Sequence, residues 1–160
     1  MDALEIIEER LFEMNILIDW YCVKNLSGYI RIEEGKDPYI AVNPKLARTK
    51  KIAVAYHEAG HLFEGLNFTP GKNENKAISW AAGNLFKIED LVKAIKQGAK
   101  TTYEVASIAN IDEEFLLNFL KLLSLKYEYY LYGDYILKFN PIILYNRKSG
   151  HIWPDEAIHN

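Results

Sequence analysis

The chain has a single cysteine, Cys22, among 160 residues. One thiol excludes an intrachain disulfide and a multi-thiolate metal site, and it fits a reducing cytoplasm as the expected compartment. Positive charge is not in excess: 19 Lys and Arg stand against 22 Asp and Glu, a formal net charge of -3. A polyanionic partner calls for a basic face, so direct nucleic-acid binding is not expected. No apolar run reaches the roughly 18 residues that a membrane span needs. The opening MDALEIIEERLFEMN is interrupted by charge every few residues, unlike a secretory or transit peptide. What is present is core-forming material, 49% hydrophobic and 13% aromatic, enough for one ordinary domain. With no repeat, low-complexity tract or clear linker, residues 1–160 read as a single α+β domain.

Apolar residues at Leu4, Ile7, Leu11, Met14, Ile18 and Tyr21 step by three and four, with Glu8, Glu9, Arg10 and Glu13 between them. That spacing predicts an amphipathic first helix. Two β-type runs follow, Tyr29 to Ile32 and Tyr39 to Val42, separated by a Glu-Gly-Lys-Asp-Pro turn, and read as a hairpin or two strands of a small sheet. Asn43 before Pro44 is a helix-start signal, and the helix it opens is expected to run to about Leu66. Pro70, Gly71 and several asparagines in NFTPGKNEN form a loop, after which a helix begins near Glu74. Ile88 to Lys96 is helical by pattern, with Gln97-Gly98 as its stop. Thr101 with Glu104 forms a capping-box signature for a short helix broken near Asn110, and Asp112 can cap a longer one carrying Phe115, Leu116, Phe119, Leu120 and Leu125. YLYGDYILKFNPIILYN returns to β-type residues, and the last stretch, RKSGHIWPDEAIHN, is expected to be loosely structured.

Within the second predicted helix lies HEAGH, His57 to His61. At about 100° per residue the two histidines lie about 40° apart on one face, separated by about 6 Å of rise, so both imidazoles can reach one ion. Zinc accepts neutral histidine nitrogens, and an i, i+4 pair supplies two corners of its tetrahedron without any loop being ordered. Glu58 can then lie beside the open corner as general base, taking a proton from the attacking water and later passing protons to the leaving amine. The competing reading is a pair of core or surface histidines that fall one turn apart by chance. Against it stands the apolar upstream face, with Ile52, Ala53 and Tyr56. Gly60 costs about 1 kcal/mol of helix stability relative to Ala, which suits a close packing need. A third ligand is required. Glu64 shares the face but lies about 10 Å along the helix, and reads as a solvated residue. The longer HExxHxxGxxH pattern is excluded, because Glu64 and Asn67 stand where it needs glycine and histidine. Glu74 can approach from a second direction, or it can be a carboxylate favouring its own helix dipole.

The pieces YIAVNPKL, HEAGH and ENKAISWA together resemble the phage- and mobile-element-type ImmA/IrrE metallopeptidases, in which a strand and Asn-containing turn precede the HExxH helix, and a helix opening E-x-[RK]-A-x-x-W-A follows it. The resemblance covers roughly Tyr39 to Leu125. It departs at Leu85-Phe86-Lys87, where members often carry Leu-[Ile/Met]-Pro. It implies a zincin-like core, Zn2+ held by His57, His61 and Glu74, and catalysis by Glu58. It also implies an intracellular enzyme that cleaves or otherwise inactivates a helix-turn-helix repressor encoded nearby. The alternative is a non-catalytic protein that controls a repressor by binding it.

Thr101 to Leu120 has the apolar rhythm of a helix-turn-helix, but Asp112-Glu113-Glu114 would present negative charge to phosphate, so packing is the expected role. Tyr127, Tyr129, Tyr130, Tyr132 and Tyr135 read as core and rim. His151 and His159 read as solvated tail residues. The expected architecture is a small sheet on a helix bundle, with the zinc cleft between the HEAGH helix, the Glu74 helix and the sheet. Substrate backbone would pair with the strand Tyr39 to Val42.

Overall fold

The computed structural model describes residues 2–22, 24–63 and 73–159. The fold is α+β, with helices and two small sheets. Contacts gather into two compact units, Met1–Leu85 and Phe86–Asn160. No linker intervenes, since Phe86 and Lys87 alone separate the last helix of the first unit from the first helix of the second. Among the described residues, no helix is long and apolar enough to cross a membrane.

The first unit opens with α1 (Ala3–Glu13), capped by a box in which Asp2 accepts from the Leu4 and Glu5 amides and Glu5 accepts in return from Asp2. The helix is shorter than its apolar steps suggest. Asn15 takes a left-handed φ of 57°, and the amides of Asn15 and Ile16 fold back on the carbonyls of Phe12 and Leu11. This is a Schellman stop with asparagine in the glycine position. Ile18 therefore belongs to β1 (Leu17–Trp20), where its apolar character serves a strand instead of a helix face. β2 (Gly28–Arg31) and β3 (Tyr39–Val42) confirm the two β-type runs. The sheet order is β1-β3-β2, with β1 parallel and β2 antiparallel to β3. Period-two alternation puts Gly28, Ile30, Ile40, Val42, Ile18 and Trp20 on one face, and Tyr29, Arg31, Tyr39, Ala41, Leu17 and Asp19 on the other.

The next helix, α2 (Arg48–Phe63), starts four residues after the expected Pro44. Asn43 spends its side chain on a turn, accepting from the Lys45 amide at 2.9 Å, while its own amide donates to Ser27. The expected end near Leu66, Glu64 and residues 67–72 of the loop lie outside the described residues. α3 (Glu74–Leu85) begins where the sequence places it. Small residues meet between these two helices. A Cβ on Gly60 would fall 2.7 Å from the Ala77 carbonyl oxygen and 2.9 Å from its Cα, so only glycine permits this approach. Phe63 stacks on Trp80 at 4.6 Å, and the Arg10 guanidinium lies 4.5 Å from the Phe63 ring.

The second unit comprises α4 (Ile88–Lys96), α5 (Thr102–Ala109), α6 (Glu113–Lys126) and the antiparallel sheet β4 (Tyr130–Tyr132), β5 (Tyr135–Phe139), β6 (Ile142–Asn146) and β7 (Ile152–Ile158), in that order. Its core joins Leu91, Ile95, Val105, Leu116 and Leu120 to Leu137, Phe139, Ile142, Leu144 and Ile158. Gly98 and Asn110, both at positive φ, close α4 and α5 with the same Schellman pattern. Thr101 and Asp112 cap as expected, accepting from the Glu104 and Phe115 amides. Glu104 accepts from Lys100 instead of from its own cap residue. Leu125, expected on the packing face, is 76% exposed. The tail is not loose: Ile152–Ile158 is a seven-residue strand anchored through Ile158 in the core. A composition of mixed polar and apolar residues hid it, because only one side of an edge strand is buried. Tyr127, Tyr130, Tyr132 and Tyr135 pack against the core while Tyr129 stays exposed, the expected division into core and rim.

Candidate metal centre

His57 and His61 project from one side of α2, and the first residue of α3 brings Glu74 against them. The two Nε2 atoms lie 3.2 Å apart; Glu74 Oε2 is 3.2 Å from His57 Nε2, and Oε1 is 3.4 Å from His61 Nε2. Four donors around an ion at bond lengths of about 2.0 to 2.1 Å stand about 3.3 Å apart, the edge of a tetrahedron. Each separation is close to such an edge, the two Glu74 distances ending on different carboxylate oxygens, and the set of two imidazoles and one carboxylate suits zinc chemically. His57 is held neutral, the form that ligates. Burial lowers its pKa first, and the neighbouring His61 adds to this, against a smaller upward pull from Glu74. His61 is the more deeply enclosed, with 5% of its side chain exposed against 25% for His57.

Glu58 occupies the next position on α2, toward the sheet. Burial, and then the nearby Glu74 carboxylate, push its carboxyl up to about 7. A carboxylate poised there can take a proton from water near neutral pH and return it. Gly28, at the start of β2, is what lets α2 approach the sheet this closely at Val54, one turn before Glu58. A Cβ on Gly28 would lie 2.4 Å from Val54 Cγ1, 2.8 Å from the Ala41 carbonyl oxygen and 3.6 Å from Glu58 Cγ. Sequence reasoning passed over Gly28, which stands just before the β-type run Tyr29 to Ile32 and joins the strand only in the fold, where glycine marks a close approach.

All four residues singled out by the sequence, His57, Glu58, His61 and Glu74, therefore fall in one small region of the first unit. The expected substrate track does not survive. β3 is the central strand and is hydrogen-bonded on both sides, so Tyr39 to Val42 offers no edge for a peptide. The edge strand lying against α2 beside Glu58 is β2. His151 packs its ring on Trp153 at 3.9 Å, and His159 is exposed. At the start of α6, Glu113 accepts from the Thr102 hydroxyl at 2.7 Å. No protein-family model, no curated protein and no solved structure matches this chain.

Proposed function

We propose that this chain is a zinc-dependent peptidase, with His57, His61 and Glu74 as ligands and Glu58 as general base. The observation that carries the reading is the convergence of two imidazole nitrogens 3.2 Å apart with the Glu74 carboxylate, whose two oxygens lie 3.2 Å from His57 and 3.4 Å from His61, drawn from two helices with a carboxyl near neutral pKa beside them. A bound zinc supplies Lewis acidity toward the scissile carbonyl. The protein's own groups do the rest. Glu58 accepts the proton of the attacking water and donates it to the amine as the C–N bond breaks. Its burial keeps that proton exchange within reach of neutral pH. A substrate segment lies extended along the outer edge of β2, main chain to main chain, which presents a carbonyl to the site.

The similarity of YIAVNPKL, HEAGH and ENKAISWA to the ImmA/IrrE group supports a helix-turn-helix repressor encoded nearby as substrate, cleaved in the cytoplasm to release a mobile element or prophage. The test mixes the protein with that repressor. Intact protein yields two repressor fragments; Glu58→Gln retains zinc and leaves the repressor whole; Glu74→Ala loses zinc. Binding of the repressor without cleavage by the zinc-loaded protein would replace this reading with the non-catalytic regulator. Salt-sensitive affinity for duplex DNA would instead favour a DNA-binding regulator.

A further inference from the structure

The two edges of the first sheet differ. β2 lies by Glu58, whereas β1 lies at the opposite end and, among the described residues, hydrogen-bonds only to β3. An edge strand is a template for another strand, and proteins usually blunt it with lysine, proline or a bulge. β1 reads Leu-Ile-Asp-Trp, a four-residue strand without lysine, proline or bulge whose one charge, Asp19, is negative. It is also flanked by apolar surface left in water: Leu17 is 64% exposed and Phe12, on the adjoining α1, 73%.

A depression lies on each side of this strand. One, of about 340 Å³, is bounded by Glu8, Glu9 and Phe12 of α1 with Ile16, Leu17 and Ile18. The other, of about 690 Å³, shares Leu17 and Ile18 and adds Asp19, Tyr21, Asp37 and Tyr39 on the tyrosine face. A strand laid beside β1 sends successive side chains alternately to the two faces, and so alternately into the two depressions. Among the described residues their charged lining is acidic: Glu8, Glu9, Asp19 and Asp37 are opposed by Arg31 alone, and Arg31 is already paired with Glu33 at 3.4 Å and laid over the Tyr39 ring.

We infer that β1 is a docking edge for an extended segment of a partner protein in which lysine or arginine alternates with aliphatic residues. Main-chain hydrogen bonds to β1 supply the attachment; alternation sends the basic side chains to one face, where Asp19 and Asp37 meet them, and the aliphatic ones to the other, against Phe12, Ile16 and Ile18. A second copy of this chain is the wrong occupant, because edge-to-edge pairing of β1 with itself would bring two sets of these carboxylates together. The inference does not depend on the metal centre.

The probe is a blocked peptide of four Lys-Val repeats, with four Glu-Val repeats as its counterpart, titrated into the isotopically labelled full chain while backbone amide shifts are followed. The Lys-Val peptide should give saturable shifts at Leu17 to Trp20, and the Glu-Val peptide none. Leu17→Lys with Glu9→Lys, both at exposed positions, should weaken the Lys-Val peptide by about tenfold or more, by placing like charge on the edge. Equal binding of the two peptides, shifts confined to β2, or an unchanged affinity in the double variant each overturns the inference. So does a dimer in sedimentation that Leu17→Lys dissolves, since the edge would then belong to a second copy.

Discussion

Replacing Gly60 with alanine tests the packing argument behind the metal centre. In an exposed helix interior this change stabilises by about 1 kcal/mol, because alanine loses less backbone entropy. At Gly60 the added Cβ meets the Ala77 carbonyl oxygen at 2.7 Å, whereas ordinary contact begins at 3.4 Å, a deficit of 0.7 Å (3.4 minus 2.7). The obstacle is backbone, so no rotamer change relieves it. α3 must retreat by that amount or the helices must strain, at a cost typical of overpacking, about 1 to 3 kcal/mol. The propensity gain offsets part of this, leaving a net loss of about 0 to 2 kcal/mol. The larger effect falls on the proposed metal site. Glu74 lies one turn before Ala77, and a carboxylate displaced by a comparable distance no longer completes a site whose bonds are about 2 Å long. Zinc affinity should fall by about 10- to 100-fold. Gly83, also in α3, is the control: nothing lies within 4 Å of its Cβ position, so Gly83→Ala should stabilise by about 1 kcal/mol and leave zinc binding alone. Urea unfolding of the metal-free proteins gives the stabilities, and chelator competition gives the affinities. The reasoning fails if Gly60→Ala behaves like Gly83→Ala in both assays.

Removing zinc with a chelator should lower the protection of α2 and α3 amides in hydrogen exchange; a ligand present at a thousand times its Kd stabilises by about 4 kcal/mol. Unchanged protection would argue against a metal bridging the two helices. In the second unit, Asp112→Ala should cost about 1 kcal/mol in urea unfolding, since the Phe115 amide loses its cap at 3.0 Å, and Asp112→Asn should restore most of it. Phe139→Ala removes one of the largest fully buried side chains of that unit and should cost about 3 to 5 kcal/mol by the same measurement.

Local signals carried much of this protein. The spacing of His57 and His61, the caps at Thr101 and Asp112, the break near Asn110 and the run Tyr39 to Val42 were all legible, because each depends on residues within a turn or a strand of one another. Gly60 was legible as a packing residue for the same reason: its cost to a lone helix demands a compensating contact. Where the apolar rhythm was ambiguous, tertiary pairing decided. Ile18 fits a helix step as well as a strand, and the parallel ladder with β3 makes it a strand. Ile152–Ile158 alternates imperfectly, and its ladder with β6, which carries a register shift between Ile142 and Leu144, makes it a strand. Pro44 met the rule for a helix start, yet the Asn43 side chain closed a turn and moved the start to Arg48.

By itself the sequence determined that two imidazoles share one helix face and that a carboxylate, Glu58, stands beside the first of them, since helical pitch is a property of the backbone alone. Whether Glu74 would join them, which strand would lie beside Glu58, and that β3 would be closed on both edges were decided only in three dimensions. Those outcomes depend on how nearly α2 and α3 can touch at Gly60 and Ala77, and on the order in which three short strands pair, and neither distance nor order is written in residue spacing.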